Sequence, residues 1–392
     1  MSQAWELLFG VLFWLSAGLL AYTYIGFWLI LIVRAWLWPR PVAVGAITPS
    51  VSLLIAAHNE ADVIAQKLDN SLAVDYPPGL LDVVVASDGS DDGTNEIAMQ
   101  YAARGVRLLT LPRQGKNLTV AAAAAAARGE LLVFTDADCV LTRDALRQIV
   151  AVFADPEVGA AAGDYRPAKH TGEKVGERQH WTHERELKRL QSRSGSITAV
   201  SGALYAVRRE LFVAPPNGVT DDFFVTAQVA AAHHRVVFAP DAVAVGPLAA
   251  TPDEELARKV RVVSRGLRAV WLNRRLLNPR VYGFYAVQLF SHKVLRRFMV
   301  LPLIALQVSA LALWPTGGLY RLAALAQLAL HAGAAAGYAL ARLGYHPHKV
   351  LRVLVQFDLA NLACLAAYAS LAVGGRNEVW HTARVGAKAD PT

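Results

Sequence analysis

The sequence predicts an α/β domain with a mostly parallel sheet, placed between membrane-spanning helices. Three observations lead to this fold class. Between residues 50 and 245, short β-branched apolar runs alternate with helical stretches, which is the pattern of βαβ units. A long uncharged run precedes this region, and an apolar third of the chain follows it. Of the 392 residues, 54% are hydrophobic and only 18% are charged, which argues against a purely soluble protein.

The first predicted element is a membrane-spanning helix within residues 1–34. Leu8 to Val33 is a run of 26 residues without a charge, and about 20 apolar residues suffice to cross a bilayer. A cleaved signal peptide is the competing interpretation, but its n-region is positively charged and no basic residue precedes this run. We therefore expect the helix to be retained.

The α/β domain is predicted over residues 45–250. In open α/β sheets, ligands bind beyond the carboxyl ends of the strands, so the residues after each strand are the candidates for chemistry. Asn59 follows the first strand and precedes two acidic residues, which predicts that it caps the next helix. The first four strands are predicted at Val51 to Ala57, Asp82 to Ser87, Val106 to Leu111 and Leu131 to Thr135.

Two acidic segments follow strands of this sheet. The segment from Ser87 to Thr94 is rich in Asp and Gly, but turns also favour these residues, so alone it is ambiguous. Asp136 and Asp138 follow the fourth strand and are one residue apart, so both carboxylates can reach one divalent cation. Mg²⁺ or Mn²⁺ is the expected metal, because these ions take carboxylate, water and phosphate oxygens.

Two further polar positions complete the candidate site. Lys116 lies in a polar loop before an alanine-rich helix and could bring positive charge to phosphates, although a solvated loop lysine is an equal interpretation. Asp221 and Asp222 begin an apolar helix. A carboxylate here could cap this helix or act as a general base toward a hydroxyl group, and capping by Asp221 is compatible with a base role for Asp222.

Residues 251–297 are predicted to lie at a membrane surface. Arg258 to Arg297 contains 11 basic residues and no acidic one, although the net charge of the whole chain is only +8. A basic stretch beside apolar helices is typical of the cytoplasmic face of a membrane. Nucleic-acid binders spread such charge over a reading surface, so no nucleic-acid partner is expected.

Three more spans are predicted within residues 298–373, followed by a tail at 374–392. The first of these spans is short and contains Pro302. Basic residues between the spans place the α/β domain on the cytoplasmic side by the positive-inside rule, whereas the side of the tail stays open. Asp358 in the last span is either a site residue or the partner of an interhelical hydrogen bond.

In order and spacing, these positions resemble family 2 glycosyltransferases with the GT-A fold. The resemblance is strongest to integral-membrane bacterial members related to cellulose, hyaluronan and chitooligosaccharide synthases, and it covers most of the chain. It rests on Tyr22 to Trp28, Ala57 to Glu60, Asp88 to Ser90, Gly115-Lys116, Asp136 to Asp138, Ser201 to Ala203, Arg208-Arg209, Thr220 to Asp222 and Arg258 to Arg261.

The resemblance implies an inverting enzyme that moves a sugar from a nucleotide-sugar, expected to be a UDP-sugar, with Asp222 as the general base. Membrane lipids and a lipid, lipid-linked or saccharide acceptor are the other expected partners. By role, the implied residues are Ala57, Asn59, Glu60, Asp88, Lys116, Asp136, Arg258 and Arg261 for the donor, Ser201, Gly202 and Ala203 for the acceptor, and Asp138 with Asp136 for Mg²⁺ or Mn²⁺.

Departures from the family pattern leave the product open. Processive synthases carry Gln-x-x-Arg-Trp before the membrane, where this chain has Arg258-Lys259-Val260-Arg261-Val262. The missing tryptophan and the small number of spans favour a single transfer, with processive polysaccharide or short-oligosaccharide synthesis as the alternative. A non-catalytic nucleotide-binding scaffold is a further alternative, because the sequence after Gly115-Lys116 departs from the family. The expected location is the bacterial cytoplasmic (inner) membrane, as a multi-pass protein.

Overall fold

The computed structural model describes residues 3–168, 175–247, 252–345 and 347–372. Its centre is a mixed eight-stranded sheet in the spatial order β3-β2-β1-β4-β7-β6-β8-β5. In chain order the strands are β1 (Val51–Ala57), β2 (Leu81–Asp88), β3 (Val106–Leu111), β4 (Leu131–Asp136), β5 (Val140–Leu141), β6 (Val158–Pro167), β7 (Tyr205–Arg208) and β8 (Arg235–Gly246).

The sheet has a parallel half and a mixed half. Strands β3, β2, β1 and β4 all run parallel, which confirms the predicted βαβ region. Strand β7 is antiparallel to both of its neighbours, and β5 is antiparallel to β8, while β6 and β8 are parallel. The carboxyl ends of β1, β2 and β4 therefore meet at one edge, where the acidic segments begin.

Helices cover both faces of this sheet because its strands are apolar on both sides. The helices of this region are α3 (Ala61–Leu72), α4 (Thr94–Met99), α5 (Lys116–Ala126), α6 (Ala145–Ala151), α7 (Val175–Arg193), α8 (Asp221–Ala231) and α9 (Pro252–Leu272). Leu53 and Ile55 of β1 point to one face, where α3, α4 and α6 pack, and Leu54 points to the other, where α5 and α8 pack. The small side chains of α5 let it lie close to the sheet.

Apolar helices flank the α/β domain on both sides. Before it lies a helix over Gln3–Leu37, formed by α1 (Gln3–Ala21), a first π-turn (Tyr22–Gly26) and α2 (Phe27–Leu37). After it come α10 (Pro279–Tyr282), α11 (Phe284–Leu289), a second π-turn (Phe290–Leu295), α12 (Arg296–Phe298), α13 (Val300–Ala312), α14 (Gly318–Arg342) and α15 (Lys349–Ala372).

Three described helices are long and apolar enough to cross a membrane, namely Gln3–Leu37, α14 and α15. A fourth candidate is a bent pair, in which Phe284–Phe298 and Val300–Ala312 meet at 52°. The short span predicted near Pro302 is thus the second half of this pair. Pro302 is tolerated there because it lies in the first turn of α13, where backbone N–H groups have no intrahelical acceptor.

Polar contacts join these helices to one another. The Tyr22 and Ser291 hydroxyls lie 2.7 Å apart and link the two π-turns. The side chains of His331 of α14 and Asp358 of α15 are hydrogen-bonded, with Nδ1 2.9 Å from Oδ1. Of the two interpretations of Asp358, the structure therefore shows the interhelical contact. The predicted tail at 374–392 lies outside the described residues.

Candidate active site

The loops after β1 and β2 are fastened to each other. Asn59 has a left-handed backbone conformation (φ 52°), and its side-chain amide donates to Asp91 Oδ1 (2.8 Å) and accepts from the Asp91 N–H (3.0 Å). The prediction that Asn59 caps α3 is wrong, because the Ala61 N–H donates instead to Asp92 Oδ2 at 3.0 Å. The side chain of Asn59 is hydrogen-bonded to the loop after β2 instead.

Two other residues that were predicted to bind the sugar donor are buried beside the Asn59–Asp91 contact. Ala57 ends β1 with no exposed surface, and Glu60 is 2% exposed. The backbone N–H of Glu60 donates to Thr94 Oγ1 at 2.8 Å, across the same pair of loops. The start of α3 is therefore fixed by the turn that follows β2.

Asp88 is fully buried at the end of β2 and organises the loop before α5. Its carboxylate accepts hydrogen bonds from the backbone N–H groups of Gln114 (2.7 Å) and Gly115 (3.0 Å) and pairs with the Arg113 guanidinium. Arg113 is not among the residues predicted from the sequence. Because Lys116 directly follows this loop, Asp88 sets the position of Lys116.

The carboxylates of Asp136 and Asp138 fit a divalent cation. Ligand atoms of Asp136, Asp138 and Cys139 all lie within 4.8 Å of one another. Burial and the charge of Asp136 raise the pKa of Asp138, so a bound cation would offset this repulsion. Mg²⁺ and Mn²⁺ prefer oxygen ligands, so the two carboxylates, and not the buried thiol, are the residues that would hold the metal.

A buried lysine supports this segment from α3. Lys67 is 1% exposed, and its Nζ donates to Thr135 Oγ1 at 2.8 Å and to the Cys139 carbonyl at 2.7 Å. Burial lowers the pKa of Lys67 to about 8, against the opposing charges of the nearby acidic groups. Lys67 is not among the residues predicted from the sequence, although a lysine on the apolar stripe formed by Ile64 and Leu68 was a visible signal.

Lys67→Met is expected to destabilise the protein by about 2 kcal/mol, because two buried acceptors lose a charged donor. A lower thermal unfolding midpoint, together with weaker Mn²⁺ binding, is the expected measurement. In the Lys67→Met background, Thr135→Val should lower the free energy of unfolding by less than it does in the wild type, since the two side chains are hydrogen-bonded to each other. Fully additive losses would show that Lys67 does not act through Thr135.

Lys116 connects the metal segment to the start of α8. Its Nζ donates to Asp136 Oδ1 at 2.9 Å and lies 3.7 Å from Asp221 Oδ2. Burial opposes its charge, but these carboxylates outweigh burial and raise the pKa of Lys116. Capping of α8 by Asp221, one of the two roles considered for this pair, is not seen, because the side chain of Asp221 faces Lys116 and the N-cap residue, Thr220, makes no side-chain capping bond.

The segment Ser201 to Ala203 lies against this ion pair. A Cβ atom on Gly202 would be 3.3 Å from Asp136 Oδ2 and 3.5 Å from Lys116 Nζ, so a larger residue there would require the Asp136 carboxylate to shift slightly. The Ala203 carbonyl accepts from Thr135 Oγ1 at 2.9 Å. The predicted acceptor segment and the metal segment are therefore in contact.

Asp222 lies on the first turn of α8, at the same edge of the sheet. Its Oδ1 accepts from the Phe223 N–H at 2.6 Å. Burial raises the pKa of Asp222 to about 6, the charge of Asp221 adds to this, and the Lys293 ammonium opposes it. A carboxylate with this pKa is ionised at neutral pH and still accepts a proton readily, which suits a general base.

The two predicted arginines lie on α9. Arg258 makes a bidentate pair with Glu255, with two contacts of 2.8 Å. Burial and the charge of Arg258 lower the pKa of Arg261. The charges of Arg258 and Asp138 both act on the Tyr165 phenol, which places this part of α9 near the metal segment. Direct phosphate contacts from Arg258 and Arg261 stay a prediction.

The fold and the paired carboxylates at the strand ends are those of a GT-A glycosyltransferase. A family model described as "Glycosyltransferase like family 2" matches residues 49–271, which is more than half of the chain. The chain belongs to this family. The predicted resemblance and fold class are thereby confirmed.

Curated relatives share part of their length with this chain. An N-acetylglucosaminyltransferase of Rhizobium sp. (strain N33) is 25% identical over 291 residues, covering 68% of this chain and 64% of the relative. Glycosyltransferase AglE of Haloferax volcanii is 28% identical over 243 residues, covering 60% of this chain and 78% of the relative. The chain thus spans less than two thirds of the Rhizobium protein.

One solved structure is similar over nearly the whole chain. The mannosyltransferase PcManGT from Pyrobaculum calidifontis, in complex with GDP-Man and Mn²⁺, has a TM-score of 0.69 and 25% identity, covering 92% of this chain and 98% of its own. The Mn²⁺ in that structure agrees with the predicted divalent cation. The similarity includes the flanking helices, because the coverage extends well beyond residues 49–271.

Proposed function

We propose that this protein is an inverting membrane glycosyltransferase that moves one sugar from a nucleotide-sugar to a hydroxyl group of a lipid, lipid-linked or saccharide acceptor. The observation that carries the proposal is that Asp136, Asp138, Lys116 and Asp222 converge at one edge of the sheet. A UDP-sugar is expected from the sequence, and the complex of PcManGT with GDP-Man makes a GDP-sugar the second candidate donor.

In this mechanism Asp222 accepts the proton of the acceptor hydroxyl. The hydroxyl oxygen forms a bond to the anomeric carbon from the face opposite the phosphate, and the sugar–phosphate bond breaks. Its electron pair leaves with the nucleoside diphosphate, which gives inversion. A divalent cation held by Asp136 and Asp138 would supply charge stabilisation to that leaving group. Lys116 contributes a second positive charge at the same edge.

We place the α/β domain on the cytoplasmic side of a bacterial inner membrane. The basic residues of 258–297 support this orientation, because they lie on the domain's side of the apolar helices. Single transfer is favoured over polymer synthesis, since the tryptophan of the processive motif is absent from Arg258 to Val262. Product size distinguishes the two.

The test is nucleotide release by the full-length protein in native-lipid nanodiscs. A panel of UDP- and GDP-sugars is supplied with and without Mn²⁺ or Mg²⁺, and products are identified by mass spectrometry. Metal-dependent release from one donor, with one sugar added to an acceptor, is expected. Nucleotide binding without release in a complete lipid extract would favour the non-catalytic scaffold.

Activity is expected to fall about tenfold per pH unit below about pH 6, because protonated Asp222 cannot accept the acceptor's proton. Its surroundings combine the acidic Asp221 with three cations, Lys116 of α5, Lys188 of α7 and Lys293 of the second π-turn. Asp221→Asn removes a like charge, which should lower the pKa of Asp222 and move the acid-side fall in kcat to lower pH. An unchanged limb would contradict the assignment to Asp222.

A further inference from the structure

Three cations near the membrane face have no carboxylate within ion-pair distance among the described residues. Lys188 of α7 is 5% exposed. Lys293 belongs to the second π-turn, and Arg297 to α12. In the described parts of the chain, no carboxylate lies within 4.0 Å of these three side chains, and Arg297 Nη1 is buried without a hydrogen-bond partner. Lys188 is buried, and Lys293 and Arg297 are partly buried. Cations withdrawn from water are normally paired, so this arrangement requires an explanation.

The second π-turn connects these cations to the catalytic end. Lys293 Nζ lies 5.3 Å from the centroid of the Phe223 ring, and Phe223 directly follows Asp222. The neighbouring residue, His292, has its Nδ1 3.0 Å from Thr198 Oγ1, in the loop that leads to the predicted acceptor segment. One turn of helix therefore contacts both the helix of the base and the acceptor loop. Single π-helical turns within α-helices, called π-bulges, often occur at functional sites.

The acids nearby do not balance the charge. Glu184 of α7 lies 3.6 Å from His292 Nε2 and 3.8 Å from Arg296 Nη1, so it is engaged with those two residues. Asp222 also acts on Lys293, and Asp164, which acts on Lys188, is itself paired with two arginines. Positive charge therefore exceeds negative charge beside Asp222, and an anionic group of a ligand would supply the missing partner.

The place of the cluster in the fold indicates which ligand is involved. Lys293 and Arg297 lie on Phe284–Phe298, which continues through the 52° bend into the apolar α13. A ligand at this point is therefore at the membrane surface, where the common anionic group is a lipid phosphate. The donor's diphosphate is expected at Asp136, Asp138 and Lys116.

Resting on the proposed function, we propose that the acceptor is a phosphate ester whose phosphate binds Lys188 and Lys293 while its hydroxyl group faces Asp222. The phosphate belongs either to a lipid headgroup or to a soluble ester. Binding places the hydroxyl next to the base, its proton passes to Asp222, and its oxygen forms the new glycosidic bond as the nucleoside diphosphate leaves. The phosphate of the acceptor itself is unchanged.

Binding is tested with the full-length protein in detergent by native mass spectrometry. The probes are phosphatidylglycerol, which has a phosphate and hydroxyls, diacylglycerol, which has a hydroxyl and no phosphate, and glycerol 3-phosphate, which is soluble. Preferential retention of phosphatidylglycerol supports the lipid source, and retention of glycerol 3-phosphate alone supports the soluble source. Equal retention of diacylglycerol and phosphatidylglycerol would overturn the proposal.

Variants show whether the cations are responsible. Lys293→Met and Lys188→Met should each weaken retention of the phosphate probe about tenfold, since a charge-assisted contact is lost. Lys293→Arg should restore binding, and Arg280→Gln, at an exposed basic position of the same segment, serves as the matched control. Unchanged retention in both methionine variants, or weaker binding of the nucleotide-sugar instead, would contradict the proposal.

Turnover separates this inference from the proposed function. With an anionic lipid fraction as acceptor, Lys293→Met should raise the acceptor KM about tenfold and leave the donor KM unchanged. If no donor is consumed but phosphate retention depends on Lys293, the phosphate site stands and the transfer reaction fails. If sugar is transferred to a neutral acceptor equally by the wild-type and Lys293→Met proteins, the transferase stands and the phosphate site fails.

Discussion

Asp222→Asn is expected to lower kcat by about 10²- to 10⁴-fold, the range that a general base contributes. The amide has nearly the same shape as the carboxylate, so the contact with the Phe223 N–H can persist through the amide oxygen. The Kd values of the nucleotide-sugar and of Mn²⁺ should stay within about twofold, because neither ligand is expected to contact this residue. Single-turnover kinetics with calorimetric binding provide both measurements.

Asp241→Asn is the matched control for that substitution. Asp241 is an exposed aspartate of β8 and is not among the predicted site residues, so its variant should retain wild-type turnover. A kcat for Asp222→Asn that equals the wild-type value would remove the base assignment. A parallel loss of donor affinity would instead show that Asp222 belongs to the donor site.

Asp138→Asn is expected to reduce kcat/KM by about 10³-fold, or about 4 kcal/mol of transition-state stabilisation, because the cation that offsets the leaving-group charge loses a ligand. In metal-free protein, the same substitution should increase the stability of the fold. Asp136 and Asp138 are crowded together, so removing one charge should raise the metal-free unfolding midpoint. The stabilisation that Mn²⁺ gives the wild type should disappear.

Asp144→Asn provides the comparison for this second substitution. Asp144 is an exposed aspartate at the N-cap of α6, a few residues from the metal segment along the chain. Its variant should retain the Mn²⁺-dependent rise in the unfolding midpoint. If Asp138→Asn retained that rise as well, the metal would have to be held elsewhere.

The sequence was sufficient for the elements whose signal is local. Apolar runs with β-branched residues predicted β1 to β4, and the position of Asp136 and Asp138 after a strand predicted the acidic edge. The half of the sheet containing β5 to β8 was less visible, because antiparallel partners distant in sequence leave no spacing pattern. The bend before α13 was visible only as a span that was too short.

The pairings within the site depend on contacts between distant segments. Asn59 and Asp221 both looked like helix caps, since Asn and Asp favour that position, but each has a partner from another loop. The role of Lys293 required knowing that a helix after the domain returns to α8. Lys67 is the exception, because a charged residue on an apolar helical stripe marks a buried contact in the sequence itself.

The length of α13 has a consequence for the surrounding lipid. Its 13 residues extend about 20 Å at about 1.5 Å per residue, whereas a hydrocarbon core is about 30 Å thick. Phe284–Phe298, on the other side of the 52° bend, adds to this length where the pair crosses as one broken span, and it carries Lys293 and Arg297 near its end. Those charged side chains would then lie at the headgroups, and the remaining hydrophobic mismatch would be met by local thinning of the bilayer or by snorkelling of the same side chains.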